Sequence, residues 1–153
     1  MKIAIFTSFL DNIGGAEIVA LTMARELEAD VYTTNINPRR IRGAGFADVL
    51  PRIRSIGRVP VKAPFRHQLA SLRFRLLKLK GYDYFIIAGD WAVSAAVRNK
   101  PCLWYVHSPL NELFAFRRYV RDEMLPPWMR PFFDAWSRFN AWLARRYARH
   151  VDR

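Results

Sequence analysis

The hydrophobic pattern of the first 35 residues predicts a strand, a turn, a helix and a second strand. Residues 2–7, KIAIFT, form a short apolar run that leads into a polar turn with paired glycines, which is typical of a buried parallel strand. Apolar residues then recur at helical spacing from about 16 to 28. A second apolar run follows at 29–35, ADVYTTN. This order predicts a βαβ unit.

The same alternation continues along the chain. Residues 39–60 hold a candidate edge strand weakened by Pro51, and residues 64–80 predict a helix. The apolar residues expected to line the buried face of that helix are Phe65, Leu69, Leu72, Leu76 and Leu79. Further elements are expected as a strand in 82–90, a short helix in 91–99, a strand in 101–107, and two helices in 112–150 divided at Pro126-Pro127.

This alternation predicts one α/β domain over residues 1–153, with a Rossmann-like parallel sheet flanked by helices on both faces. Ligands of such sheets bind beyond the carboxyl ends of the strands. Three turns follow predicted strands: Gly14-Gly15, Gly89-Asp90 and His107-Ser108-Pro109. We therefore expect these turns to line one edge of the sheet.

The glycine pair is the first candidate binding element. Two residues without side chains can adopt positive φ values and bring amide hydrogens close to a ligand, and the following helix directs its positive end at an anion such as pyrophosphate. The alternative is a tight turn and nothing more. The G-x-G-x-x-G spacing is absent, which disfavours NAD binding. Glu17, in the first helical turn, is expected to complement the helix dipole rather than contact a ligand.

Two polar residues at the other turns are candidates for substrate contact. His107 can donate a hydrogen bond to a sugar hydroxyl or neutralise developing charge, or it can be an ordinary satisfied histidine. Asp90 can hold a substrate hydroxyl or cap a helix beginning at Trp91, and the cap is favoured.

The distribution of charge along the chain indicates what kind of partner the protein binds. The net charge of +12 is concentrated in residues 39–80, which sum to +11, and residues 114–153, which sum to +5. This distribution favours an anionic surface or ligand.

The single thiol, Cys102, excludes an internal disulfide and indicates a reducing compartment, with the thiol buried. The sequence shows no signal peptide and no run of roughly 18 apolar residues, so the protein is expected to be soluble or to lie on a membrane.

The predicted basic helix is a candidate membrane-binding element. At 100° per residue, Phe74 lies away from the predicted buried arc and among polar and cationic residues. An apolar ring among cations is typical of a helix that enters a headgroup layer. The residues assigned to this membrane or anion contact are Arg73, Phe74, Arg75, Lys78 and Lys80. The alternative is a solvated basic face with one aromatic residue.

Four segments carry a resemblance to a known family: IAIFTSFLDNIGGAE, YDYFIIAGDWAVSAA, CLWYVHSPLNELF and ARRYARHVDR. Together they resemble the N-terminal domain of GT-B-fold glycosyltransferases of family 4, the "glycosyl transferases group 1". The similarity spans nearly the whole chain.

The resemblance implies transfer of a sugar from a nucleotide-sugar donor with retention of configuration, between two Rossmann-like domains. Gly14 and Gly15 match the turn that faces the donor diphosphate and sugar, and His107 matches the catalytic-site histidine that contacts the sugar. Asp90, Ser108 and Asn111 would face the acceptor. Related sequences often have arginine at the position of Asn111, which leaves the acceptor open.

The resemblance further implies a glycan or lipid-linked acceptor and no metal or cofactor beyond the nucleotide-sugar. The location implied is the cytoplasm or the cytoplasmic face of a membrane. The donor-binding C-terminal domain would lie outside this chain, which would then be inactive alone.

Two alternatives remain open. The first is a non-catalytic basic module that binds anionic lipid or nucleic acid through segments such as FAFRRYVRDE and WSRFNAWLARRYARH. Nucleic acid is not favoured, because the aromatic residues of the last segment recur at helical spacing and predict a core face. Those residues are Phe132, Trp136, Phe139 and Trp142 or Leu143. The second alternative is one subunit of a split glycosyltransferase.

Overall fold

Five short parallel strands form the centre of the computed structural model, which describes residues 1–61, 65–107 and 113–152. The strands are β1 (Ile3–Phe6), β2 (Asp30–Thr33), β3 (Ile53–Ser55), β4 (Tyr84–Ile87) and β5 (Cys102–Trp104). Their order in the sheet is β3-β2-β1-β4-β5, and every neighbouring pair is parallel. The predicted Rossmann-like α/β fold is confirmed.

Helices cover both faces of this sheet. They are α1 (Gly15–Glu26), α2 (Pro38–Gly43), α3 (Arg66–Leu76), α4 (Arg117–Tyr119) and α5 (Arg130–Ala148), with 3-10 turns at Leu50–Arg52 and Pro127–Met129, a 3-10 helix at Asp90–Val97 and a π-helical turn at Val120–Met124. Helices α1 and α2 pack on one face with Ile3 and Ile5. Helix α3 and the 3-10 helix Asp90–Val97 pack on the other face with Ala4 and Phe6. Alternate side chains of β1 therefore enter opposite cores, which is why the strand is apolar throughout.

Helix α2 is the element that the sequence prediction missed. The Asn37 side chain accepts a hydrogen bond from the Arg40 backbone N–H, and Pro38 is the first helical residue. Both features favour a helix start. The predicted edge strand is present as β3, which begins just after the Pro51 turn.

The predicted orientation of α3 is wrong. Phe74, expected among cations on the outer face, is fully buried, and its ring lies 6.0 Å from that of Phe6 in an edge-on contact. Four of the five residues expected to face the core are instead exposed: Phe65, Leu69, Leu72 and Leu76. The fifth, Leu79, lies beyond the end of the helix and packs against the core. The helix packs through Ala70 and Phe74, because a small residue lets the helix approach the sheet and the aromatic ring then fills the remaining space.

The predicted core face of α5 is only partly right, since Trp136 packs against Leu113 and Ala144 but most of the other predicted residues do not. The buried residues are Ser137, Asn140 and Ala144, whereas Phe139 and Trp142 are about half exposed. Phe132 is likewise exposed and Trp136 is partly buried. Helix α5 lies against the 3-10 helix Asp90–Val97. That helix is rich in alanine, so small side chains on α5 allow close approach.

Among the described residues, no helix combines the length and the apolar character needed to cross a bilayer.

Candidate functional site

A pocket lies beyond the carboxyl ends of β1, β4 and β5, at the sheet edge selected by the sequence prediction. It has a volume of about 220 Å³. The polar and aromatic side chains that line it include Ser8, Glu17, His67, Asp90, Trp91 and His107. The start of α1, the turn after β4 and the turn after β5 therefore meet at one pocket, although they are far apart in sequence.

The glycine turn begins α1 without any left-handed residue. Gly14 is the N-cap with φ −118°, and Gly15 is the first helical residue. The expectation that positive φ values explain this pair is therefore wrong. The Gly14 N–H donates to Glu17 Oε2 at 2.9 Å, which confirms the helix-terminal role of Glu17. Where a Cβ would stand at Gly15, no described atom lies within 4 Å, so the helix start is open on that side.

Ser8 and His107 place two unsatisfied polar atoms at the pocket. Ser8 is 7% exposed. Its Oγ and the Nε2 of His107 are shielded from solvent and have no hydrogen-bond partner among the described residues. Leaving a buried polar atom unpaired costs about 1–3 kcal/mol, so a hydrogen-bonding ligand would be stabilised here. The His107 ring also lies 5.0 Å from that of Tyr105, edge to face.

The turn after β4 forms the floor of the pocket. Gly89 N–H donates to the Phe6 carbonyl at 3.2 Å. Asp90 is the first residue of the 3-10 helix, and the N-cap position belongs to Gly89. The interpretation of Asp90 as the helix cap is therefore wrong. Its side chain lines this pocket and also the neighbouring cleft between α3 and α5.

An aromatic wall borders the pocket, and the sequence analysis did not identify it. The His67 and Trp91 rings are parallel, 4.8 Å apart and inclined by 3°. Phe9 lies 5.7 Å from His67, and the Arg66 guanidinium lies 4.0 Å over the Phe9 ring. Arg66 also pairs with Asp11 at 2.7 Å. Phe9 and Trp91 each follow a strand end closely, which is the signal that could have found them.

The basic residues assigned to membrane or anion contact have separate roles in the structure. Arg73 braces the loop after β3, since its guanidinium donates to the carbonyls of Ile56 and Arg58. Arg75 is partly buried, and Lys78 and Lys80 are exposed. None of these side chains lines the pocket just described.

Two predicted acceptor-side residues, Ser108 and Asn111, lie outside the described residues. Within the described parts of the chain, no group of three or more His, Cys, Asp or Glu residues is arranged to hold a metal ion. The prediction that no metal is used stays a prediction.

The single cysteine is structural. Cys102 is fully buried in β5, as predicted, and burial raises the pKa of its thiol. Its backbone N–H donates to Asp152 Oδ2 at 2.8 Å, which holds the segment after α5 against the sheet.

No protein-family model, curated protein or solved structure matches this chain.

Proposed function

We propose that this chain is the acceptor-side half of a retaining glycosyltransferase that uses a nucleotide-sugar donor. The observation that carries the proposal is a pair of solvent-shielded atoms, Ser8 Oγ and His107 Nε2, at a pocket on the carboxyl edge of the sheet. Neither atom has a hydrogen-bond partner in the part of the chain that the structure describes.

The chemistry of the pocket suits a sugar. A sugar ring has several hydroxyl groups, each of which donates and accepts hydrogen bonds, and it has an apolar face. The Asp90 carboxylate accepts, and the Ser8 hydroxyl both donates and accepts. The stacked His67 and Trp91 rings contribute aromatic surface to the wall of the pocket, and such surface suits the apolar face of a sugar. A few polar groups on an aromatic wall are typical of small-molecule sites.

The donor diphosphate is assigned to the start of α1, next to Ala16 and Glu17, which line the pocket. This helix is 12 residues long, and its N-terminus carries partial positive charge. The Glu17 carboxylate already accepts the Gly14 N–H, so an anion would approach from the open side at Gly15. The sugar would then extend from that phosphate into the pocket.

In the proposed reaction, the bond between the anomeric carbon and the leaving phosphate breaks, and an acceptor oxygen bonds to that carbon on the same face. The acceptor proton passes to the departing nucleoside diphosphate. His107 is assigned a hydrogen bond from Nε2 to the transferred sugar, and it is the proposed catalytic residue. A separate donor-binding domain and the split-enzyme alternative remain predictions.

Saturation-transfer NMR with hexose 1-phosphates and with a panel of nucleotide-sugars tests this proposal. We expect saturation of sugar-ring protons. The affinity of His107→Ala should be up to about tenfold weaker, since one hydrogen bond contributes about 0.5–1.5 kcal/mol. Gly15→Ala adds a methyl group where a phosphate would approach, without a packing clash, and should weaken phosphate-containing ligands more than free hexose.

His150→Ala, which removes a histidine outside the pocket, is the matched control and should bind as the unchanged chain does. The assignment fails if none of these ligands binds at millimolar concentration, or if His107→Ala binds as tightly as the control.

A further inference from the structure

An apolar surface on α3 is left exposed by the burial of Phe74. Four large apolar side chains on one side of this helix are 38–67% exposed: Phe65, Leu69, Leu72 and Leu76. Their spacing of four, three and four residues places them in one stripe along the helix. A row of exposed apolar side chains on a protein surface indicates a contact with another protein or with a membrane.

Helix α5 extends this apolar surface. Phe139 is 56% exposed and Trp142 is 51% exposed, and their rings lie 6.1 Å apart in a stacked arrangement. Leu72 of α3 and Phe139 of α5 line the same cleft. We call the exposed apolar side chains on either side of this cleft the α3–α5 surface: Leu69, Leu72, Leu76, Phe139 and Trp142.

Cations flank the α3–α5 surface on both helices. Helix α3 contains three arginines and no acidic residue. Arg66 pairs with Asp11 and Arg73 donates to loop carbonyls, whereas Arg75 is partly exposed. Helix α5 places Arg138 beside Phe139, and the Arg146 guanidinium lies 5.4 Å over the Trp142 ring. The two helices belong to the two segments that carry the whole excess of positive charge.

We propose that the α3–α5 surface docks the protein on a bilayer containing anionic phospholipid. Leucine and aromatic side chains would enter the boundary between headgroups and acyl chains, and the flanking arginines would contact lipid phosphates. An indole beneath a guanidinium suits that interface, because the ring is apolar and the cation stays in the headgroup layer. This surface replaces the one expected from the sequence, which centred on the buried Phe74.

The combination of charge and apolar area selects this partner. A nucleic-acid surface would engage the arginines and leave the leucines in water. A protein interface does not require so large a local excess of positive charge, whereas anionic headgroups attract every lysine and arginine near the bilayer surface. An anionic bilayer satisfies both features at once.

The docking surface adjoins the candidate sugar pocket. Asp90 and Trp91 line both that pocket and the cleft between α3 and α5. Bilayer docking would therefore bring the pocket close to membrane-anchored acceptors. This consequence rests on the proposed function, whereas docking itself does not.

Flotation with vesicles of phosphatidylcholine and phosphatidylglycerol, compared with pure phosphatidylcholine, tests the proposal. We expect binding to the anionic vesicles that weakens as salt rises, and little binding to the neutral ones. The double variant L72S/L76S should bind at least tenfold more weakly. The control I18S/L27S removes two similarly exposed apolar residues from around α1, on the other face of the sheet, and should bind as the unchanged chain does.

Charge-matched variants test whether the arginines of the α3–α5 surface contact lipid phosphates. R138Q/R146Q should weaken binding to anionic vesicles severalfold more than R39Q/R42Q, which removes the same charge from α2 on the opposite face of the sheet. Circular dichroism establishes that each variant folds.

Quenching by brominated lipid locates the contact directly. Trp142→Phe should lose most of the vesicle-dependent quenching, and Trp104→Phe, which removes a half-buried indole from β5, should retain it. The proposal is overturned by equal binding of L72S/L76S and its control, by tighter binding to DNA than to anionic vesicles, or by concentration-dependent dimers that bury the surface. Sugar binding is measured without lipid, so a failure to bind sugar would count against the proposed function and not against bilayer docking.

Discussion

Gly89 lies so close to Ser8 that a side chain at position 89 has no room. A Cβ built on Gly89 would come within 2.5 Å of the Ser8 Oγ and would also meet the Ser8 backbone. Ser8 cannot move away easily, because its carbonyl accepts the Thr34 hydroxyl at 2.7 Å on the neighbouring strand end. This contact fixes the floor of the candidate pocket.

Gly89→Ala should therefore lower the free energy of unfolding by about 1–3 kcal/mol, because it overpacks a rigid contact. It should also displace the Ser8 Oγ and weaken any ligand that bonds to it. Urea unfolding measures the first effect. Gly15→Ala is the control: its new methyl group meets no described atom, and stability should stay equal or rise by up to about 1 kcal/mol. Equal stability of Gly89→Ala and the unchanged chain would contradict the packing described.

Truncating a side chain on the buried face of α3 should cost much more stability than truncating one on its exposed face. Phe74→Ala removes a fully buried ring that contacts Phe6 and should cost about 3–5 kcal/mol of unfolding free energy. Leu72→Ala, on the same helix, removes a side chain that is 52% exposed and should change stability by only about 0.5 kcal/mol. Thermal and urea unfolding of both variants measure the difference. A larger loss of unfolding free energy for Leu72→Ala than for Phe74→Ala would support the helix orientation predicted from the sequence.

The central strands β1 and β4 could be predicted because each is short, apolar and almost entirely buried between the two layers of helices. Ile5 shows why: it pairs with Val31 and Ile86 in the centre of the sheet, so every neighbour is also apolar. The helix faces could not be predicted in the same way. In α3 the buried Phe74 is joined only by Ala70, and in α5 the buried residues are Ser137, Asn140 and Ala144. Small or polar side chains therefore do much of the packing, and they carry little hydrophobic signal.

The candidate site was predictable only in outline. His107 and the Gly89-Asp90 turn follow from the rule that ligands bind at the carboxyl ends of parallel strands. Ser8 was missed because its shielding depends on the close approach of Gly89, which only the folded backbone creates. His67 was missed because its parallel contact with Trp91 joins two helices that are distant in sequence.

Acid should loosen the contact between α5 and the segment before it. Asp134 accepts from Arg121 Nε at 2.9 Å and from Arg117 Nη2 at 2.8 Å. These bonds, that of Arg121 above all, hold the pKa of the Asp134 carboxyl below its ordinary value of 3.8. The stabilisation is present in full above that ordinary value, and it is lost as the pH falls through the lower folded-state pKa.

Melting temperatures measured from pH 2 to pH 6 should therefore fall below about pH 4, and the Asp134→Asn variant should show a smaller fall over that range. Glu123→Gln, the same kind of change in the adjacent π-helical turn, serves as the comparison and should keep the pH dependence of the unchanged chain. Identical profiles for Asp134→Asn and the unchanged chain would mean that the carboxylate does not hold this contact.

The Cys102 thiol should resist alkylation in the folded protein. It is fully buried and burial raises its pKa, so little thiolate forms near pH 8, and the labelling rate with iodoacetamide should rise with pH and with urea. Asp152→Ala removes the acceptor of the Cys102 N–H and should speed labelling of the folded protein, because the covering segment is released. Mass spectrometry measures both rates, with the urea-unfolded protein as the reference. Rapid labelling of the native chain would show that the covering segment does not pack on β5.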